Sequence, residues 1–227
     1  MDKTVFSHML ENRIFINDVN YAAIKNLCYE AMDLGMRSVQ VFPSAVKMCR
    51  QTIGNRSVII TALIAYPQGQ YTAQMKVFEL KDALQKGADA FDVAINTQEL
   101  KSGNHAAVRE EMRAVVLAAQ GAPVLFLLQT EFLTDEEIKA ATRLAKESGA
   151  YGVVTSTGNY NMLDAEKNDL PIKTTVHEIE VIKSVSGSDL LVQAQGNILD
   201  IRHARELIEA GADILGSRCA SKLLNEF

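Results

Sequence analysis

Tryptophan is absent from this 227-residue chain, proline occurs 4 times and cysteine 3 times. Cys28, Cys49 and Cys219 have no Cys-x-x-Cys spacing, and each falls in a segment that reads as helix or helix start. An odd, scattered set of this kind excludes a disulfide framework and predicts free thiols in a reducing cytoplasm. No low-complexity or Pro/Gly-rich stretch marks a linker, so a single domain spanning 1–227 is expected. No apolar run approaches the roughly 20 residues that cross a bilayer. Met1-Asp2-Lys3-Thr4 opens on an amphipathic segment without a signal peptide's apolar core. Lys and Arg number 23 against 28 Asp and Glu, a net charge of −5. With no basic cluster, nucleic acid is not an expected partner. His8, His105, His177 and His203 form neither a His-x-His nor a Glu-x-x-His pair. No metal centre is predicted from them, although His105 opens a helix beside a loop of interest. Nucleophile elbow, Walker loop and dinucleotide fingerprint are missing too.

What is present is a repeat. Helical patterns end in Gly and run at once into short apolar segments: Gly35 before Ser38–Phe42, Gly87 before Phe91–Ile95, Gly149 before Gly152–Thr155, Gly211 before Ile214-Leu215. Glycine supplies the left-handed cap of a helix, and short apolar runs fit strands buried on both faces of a parallel sheet. Eight strands are predicted: Arg13–Ile16, Ser38–Phe42, Val58–Leu63, Phe91–Ile95, Val124–Leu128, Gly152–Thr155, Leu190–Gln193 and Ile214–Gly216. Helices are expected from the Asp18 cap to Leu34, over Thr72–Gln85 and His105–Ala119, after the Thr134/Glu137 capping signature, and over Lys173–Ser184, Asp200–Ala210 and Ser217–Asn225. Eight βα units predict an α/β fold of the (β/α)8 TIM-barrel type, with a doubly wound sheet as the runner-up.

The stretch Gly152-Val153-Val154-Thr155-Ser156-Thr157-Gly158 resembles the Lys-Thr-Ser-Thr-Gly signature of the deoxyribose-phosphate aldolase family, with Val154 in place of the lysine. Lys76-Val77-Phe78-Glu79, Phe91–Asn96 with Leu100–Asn104, and Phe132–Glu137 are also similar to family segments, in order and at family spacing. The resemblance implies a TIM barrel, no cofactor, and reversible aldol cleavage of 2-deoxyribose 5-phosphate through a lysine imine. It also implies a divergent member, because several roles fall on unsuitable residues. Its Schiff-base lysine maps onto Val154, its second lysine onto Gln193, a third onto Leu125. Its strand-five glutamate maps onto Gln129, its cysteine onto Gln40, and its Asp-His pair onto Glu11-Asn12. The proton-relay aspartate is retained as Asp92. Gly158 and Gly196 persist in the phosphate subsite, where the family's paired serines map onto Arg218-Cys219, with Ser217 just before them, and Arg218 would bring a positive charge.

Valine cannot attack a carbonyl. It suits a filled barrel layer. Gln40, Gln129, Gln193 and Gln195, with Thr155, would offer neutral hydrogen bonding at the barrel mouth. Asp92, and secondarily Glu131, are the candidate general acids or bases. The expected ligand is a small polar molecule, such as a sugar phosphate. Two other readings stay open: a non-catalytic barrel that binds a small molecule or protein partner, and an aldolase using a relocated amine such as Lys101. Family resemblance also suggests a homodimer.

Overall fold

The computed structural model describes residues 1–14, 19–158 and 173–227. Eight parallel strands close into a barrel in sequence order: β1 Leu10–Arg13, β2 Ser38–Val41, β3 Ile59–Ile64, β4 Ala90–Ala94, β5 Val124–Leu127, β6 Gly152–Val154, β7 Leu191–Gln195 and β8 Ile214–Ser217. β8 pairs with β1, Glu11 lying opposite Gly216. The helices are α1 Lys3–Ser7, α2 Tyr21–Asp33, α3 Pro43–Ile53, α4 Ala73–Gln85, α5 Thr97–Lys101, α6 His105–Ala118, α7 Asp135–Glu147, α8 Val176–Ser186, α9 Ile201–Glu209 and α10 Ala220–Glu226. The expected (β/α)8 barrel is the fold observed.

Local chemistry explains the boundaries. Thr134 and Glu137 form the reciprocal capping box that the sequence advertises at α7, and Thr175 with Glu178 builds a second at α8. Pro43 starts α3, where its missing N–H costs nothing. Five expected boundaries need correction. The first strand is Leu10–Arg13, not Arg13–Ile16, and Ile16 and the proposed cap Asp18 lie outside the described residues. The observed cap of α2 is Asn20, whose side chain accepts from the Ala23 amide. α8 and α10 begin three residues later than expected, and β7 runs on to Gln195. The shift of β1 matters most, because it turns Glu11 and Arg13 into barrel residues.

Side chains alternate between the helical layer and the barrel axis along each strand. The outward set, including Ile60, Phe91, Val93, Phe126, Val153 and Val192, packs against the helices in the main core. Lys76 is fully buried in this layer, its Nζ donating to Glu111 at 2.7 Å and to the Ala94 carbonyl at 2.8 Å. The inward set includes a second, smaller apolar cluster: Leu63, Ala94, Leu125, Leu127, Val154 and Ile214. Over the end of β4 the β3–α4 loop presses down at Gly69, where φ is +69° and an added Cβ would stand 2.0 Å from the Ile95 carbonyl oxygen. The three cysteines are free, Cys28 and Cys49 buried. Among the described residues, no helix is long and apolar enough to cross a membrane.

Candidate active site

The barrel interior is divided into two sectors. One is the apolar cluster around Val154. The other is polar and is built by β1, β2 and β7, with Thr61 of β3 and Asp92 of β4 at its border. Strand register sets the division. Val154 lies opposite Leu127 on one side and Gln193 on the other, so the boundary runs between β6 and β7. Asp92 lies between Leu63 and Leu125, so its carboxyl group has an apolar neighbour on each adjacent strand.

Within the polar sector, Gln40 Nε2 donates to Asp92 Oδ2. Gln193 Nε2 reaches three acceptors: Glu11 Oε1 at 2.6 Å, Gln195 Oε1 at 3.2 Å and Asp92 Oδ2 at 3.4 Å. Glu11 Oε2 accepts the hydroxyls of Ser38 and Thr61, each at 2.8 Å. Gln40, Gln195, Asp92, Glu11 and Gln193 are all essentially buried. Burial, reinforced by the nearby Glu11 charge, holds the Asp92 carboxyl well above the usual carboxylate range, against the opposing pull of Gln40, Arg13 and Gln193. Asp92 Oδ1 and Gln40 Oε1 are buried without a hydrogen-bond partner. Such atoms are costly unless something meets them.

Gly216 makes room for this network. A Cβ on it would lie 2.7 Å from Gln195 Oε1 and 3.3 Å from Gln193 Nε2. Gly216→Ala is expected to displace both amides and to cost about 1–3 kcal/mol in urea unfolding, the usual cost of overpacking. Wild-type stability in that variant would mean that the amides are loosely held.

The other expected residues divide into those at the mouth and those that tie the mouth together. Gln129 is not part of the cluster: at φ 59° it turns its amide to the Gln68 and Ile95 carbonyls, bracing the β3–α4 loop. Thr155 Oγ1 bonds the Gln195 carbonyl at 2.9 Å and Thr174 at 2.8 Å, and Gln195 donates to the Ser156 carbonyl at 2.8 Å. Gly158, Gly196 and Arg218 follow β6, β7 and β8, and Ser217 is the last residue of β8, all at the C-terminal end where barrel active sites form. Ser217 Oγ is already committed to the Ile198 carbonyl at 2.7 Å and the Cys219 amide at 2.9 Å. Arg218 is exposed in the turn before α10, two residues short of the helix rather than inside its first turn. His105 is exposed at the start of α6, and Lys101 pairs with Glu137 at 3.2 Å, outside the barrel.

Glu131 stands on a single 3-10 turn, Thr130–Phe132, after β5. Its Oε1 accepts from Ser156 Oγ at 2.9 Å, while Oε2 is buried without a partner. Burial, with a small contribution from Glu178, lifts its pKa to about 7. In the folded state the proton is therefore held to about pH 7, whereas the unfolded chain releases it near pH 4.3. The folded state binds more protons in that window, so stability falls as pH rises through it. Glu131→Gln should match wild type at about pH 4 and exceed it by roughly 1–3 kcal/mol at about pH 8. Equal stability at both would show an ordinary solvated carboxylate.

Sequence reasoning matched Glu11 to the family's aspartate without giving it a role, and did not single out Arg13, Ser38, Thr61, Tyr66 or Ser156 as site residues. Arg13 Nη2 donates to the Thr157 carbonyl at 2.8 Å, and Tyr66 Oη to the same oxygen at 3.2 Å. Period-two counting back from Gln40 finds Ser38. The same counting would have found Glu11 and Arg13 had β1 been placed correctly.

Known proteins share this architecture and sequence. A family profile described as DeoC/LacD family aldolase matches residues 1–184. A deoxyribose-phosphate aldolase of Dictyoglomus turgidum is 33% identical over 225 residues, covering 99% of this chain and 98% of the relative. One from Clostridium kluyveri is 33% identical over the full length of both chains. Among solved structures, the aldolase QR15 superposes with a TM-score of 0.88 at 28% identity, over 98% of this chain and 95% of that one. A tetrameric deoxyribose phosphate aldolase from Aeropyrum pernix, 24% identical and covering 99% of this chain and 91% of its own, shares the fold with a TM-score of 0.86. The chain belongs to the DeoC/LacD family of aldolases.

Proposed function

We propose that this family member handles a small polar metabolite, such as a sugar phosphate, without forming a lysine imine. Asp92 would serve as general acid or base, with Gln40 and Gln193 orienting the ligand. The backbone around Gly158 and Gly196, with Arg218 nearby, would receive a phosphate. One observation carries this reading. Val154 is packed in the apolar sector at the position that the resemblance gives to the Schiff-base lysine, and none of the eight described strands contains a lysine. The buried amide cluster supports binding of a neutral polar group, since amides donate and accept without charge. A relocated amine at Lys101 is disfavoured by its pairing with Glu137 outside the barrel. The same reading expects a cytoplasmic protein and a homodimer.

Borohydride reduction in the presence of 2-deoxyribose 5-phosphate, followed by intact-mass measurement, tests the absence of an imine. No adduct is expected, and a reduced adduct on any lysine overturns the reading. Thermal shift against sugar phosphates and polyols tests the site. A ligand at 100 times its Kd stabilises by about 2.7 kcal/mol through mass action, and Gln193→Leu should abolish that gain.

A further inference from the structure

Glu11 lies deep in the polar sector and accepts three hydrogen bonds there. One amide nitrogen, Gln193 Nε2, stands 2.6 Å from Glu11 Oε1 and 3.4 Å from Asp92 Oδ2. Two buried carboxyl groups bridged by a single nitrogen are too close to ionise together, because like charges at short range in a poorly screened interior repel strongly. In the ligand-free site one of them keeps its proton.

The hydrogen bonds decide which. Glu11 accepts from three neutral donors, the Gln193 amide and the Ser38 and Thr61 hydroxyls, and donors of this kind favour the carboxylate. Asp92 accepts through Oδ2 alone, and its Oδ1 is left without a partner. The charged side chains facing Asp92 are Glu11 and Arg13, both from β1. β2 and β7 present the neutral amides of Gln40 and Gln193, and β3 and β5 present Leu63 and Leu125. Arg13 is drawn toward the mouth by its bond to the Thr157 carbonyl.

We propose that Glu11 is the positioning residue of this site: it anchors the Gln193 amide and carries the buried negative charge, so that Asp92 meets a ligand as a proton donor through Oδ1. The assignment rests on the role proposed for Asp92, and it narrows the ligand to one that offers an acceptor oxygen there, a carbonyl or hydroxyl oxygen. Oδ1 donates a hydrogen bond to that oxygen and shares its proton with it as charge develops there, while Glu11 keeps its own charge, so two full carboxylates do not stand side by side. Gln40 Oε1, the other buried atom without a partner, calls for a donor on the same ligand. A molecule bearing a carbonyl beside a hydroxyl supplies both.

Infrared difference spectroscopy of the whole protein, without ligand, tests the electrostatic role directly. At neutral pH the wild type should show a protonated-carboxyl stretch that disappears in Asp92→Asn. Glu11→Gln should lower the titration midpoint of that band by about one pH unit or more, since it removes the competing charge. Ser38→Ala with Thr61→Val strips two donors from Glu11 and should shift the midpoint in the same direction. This double variant serves as the test if Glu11→Gln fails to fold. A midpoint unmoved by these changes, or an Asp92 already ionised near pH 5 in the wild type, overturns the assignment. A merely structural Glu11 would alter unfolding without moving the band. The readout needs no substrate, so it separates from the function proposed above. A shifted midpoint with no ligand in any screen upholds Glu11 and sinks the catalytic role of Asp92.

Discussion

Val154→Lys is expected to fold with a stability deficit of about 2–5 kcal/mol, the cost of placing an amine in an apolar setting. The side chain would sit among Leu63, Ala94, Leu125, Leu127 and Ile214, with Asp92 at the edge of that cluster between Leu63 and Leu125. Burial favours the neutral amine, while in the unfolded chain the lysine stays protonated to about pH 10. The unfolded chain therefore binds more protons between the two values, and the deficit should shrink as pH rises toward 10. Urea unfolding at several pH values measures this. A deficit independent of pH would point to steric overpacking instead. If Val154→Lys combined with Gln193→Lys gains aldol cleavage of 2-deoxyribose 5-phosphate, the present barrel differs from its relatives mainly at these positions.

Gly69→Ala should have the other large effect. The added Cβ would lie 2.0 Å from the Ile95 carbonyl oxygen and within 3 Å of two further backbone atoms, at a φ of +69°. Backbone cannot yield as a flexible side chain can. A loss of about 3 kcal/mol or more is expected, near the top of the range for single substitutions. The loop also carries Gln68, whose carbonyl receives Gln129, so its displacement should loosen the mouth. Amide hydrogen exchange across 65–72 would rise. An alanine variant with wild-type melting and exchange would mean that the loop has room the geometry denies it.

How legible this was depended on the kind of signal. Buried parallel strands announce themselves as apolar runs, and seven of the eight expected strands overlap the observed ones over most of their length. β1 was the exception because Leu10-Glu11-Asn12-Arg13 is mostly polar. A strand that lines a polar sector loses the apolar pattern that would reveal it. The α3 helix, opened by Pro43 without a side-chain cap, carried no capping signature either. In the site, Asp92, Gln40, Gln193 and Gln195 meet because they share the inward register of their strands. Gln129 failed for a local reason. Its left-handed backbone ends the β alternation one residue early, so its side chain leaves the axis. Glu11 itself was matched to a family position, but its partners were not foreseen because they come from strands far apart in sequence, and only closure of the barrel brings Ser38, Thr61 and Gln193 to one carboxylate.

The divided interior also bears on stereochemistry. A ligand at the mouth would meet hydrocarbon from the β3 to β6 side and hydrogen-bonding groups from β1, β2 and β7. Its position would be fixed by which of its faces bears hydroxyls and which bears C–H. A diastereomer with hydroxyls on both faces can satisfy the polar wall only by turning an oxygen toward Leu127 and Val154. The barrel should therefore separate polyols whose hydroxyls gather on one face from diastereomers whose hydroxyls lie on both, even though no single residue in it reads a stereocentre.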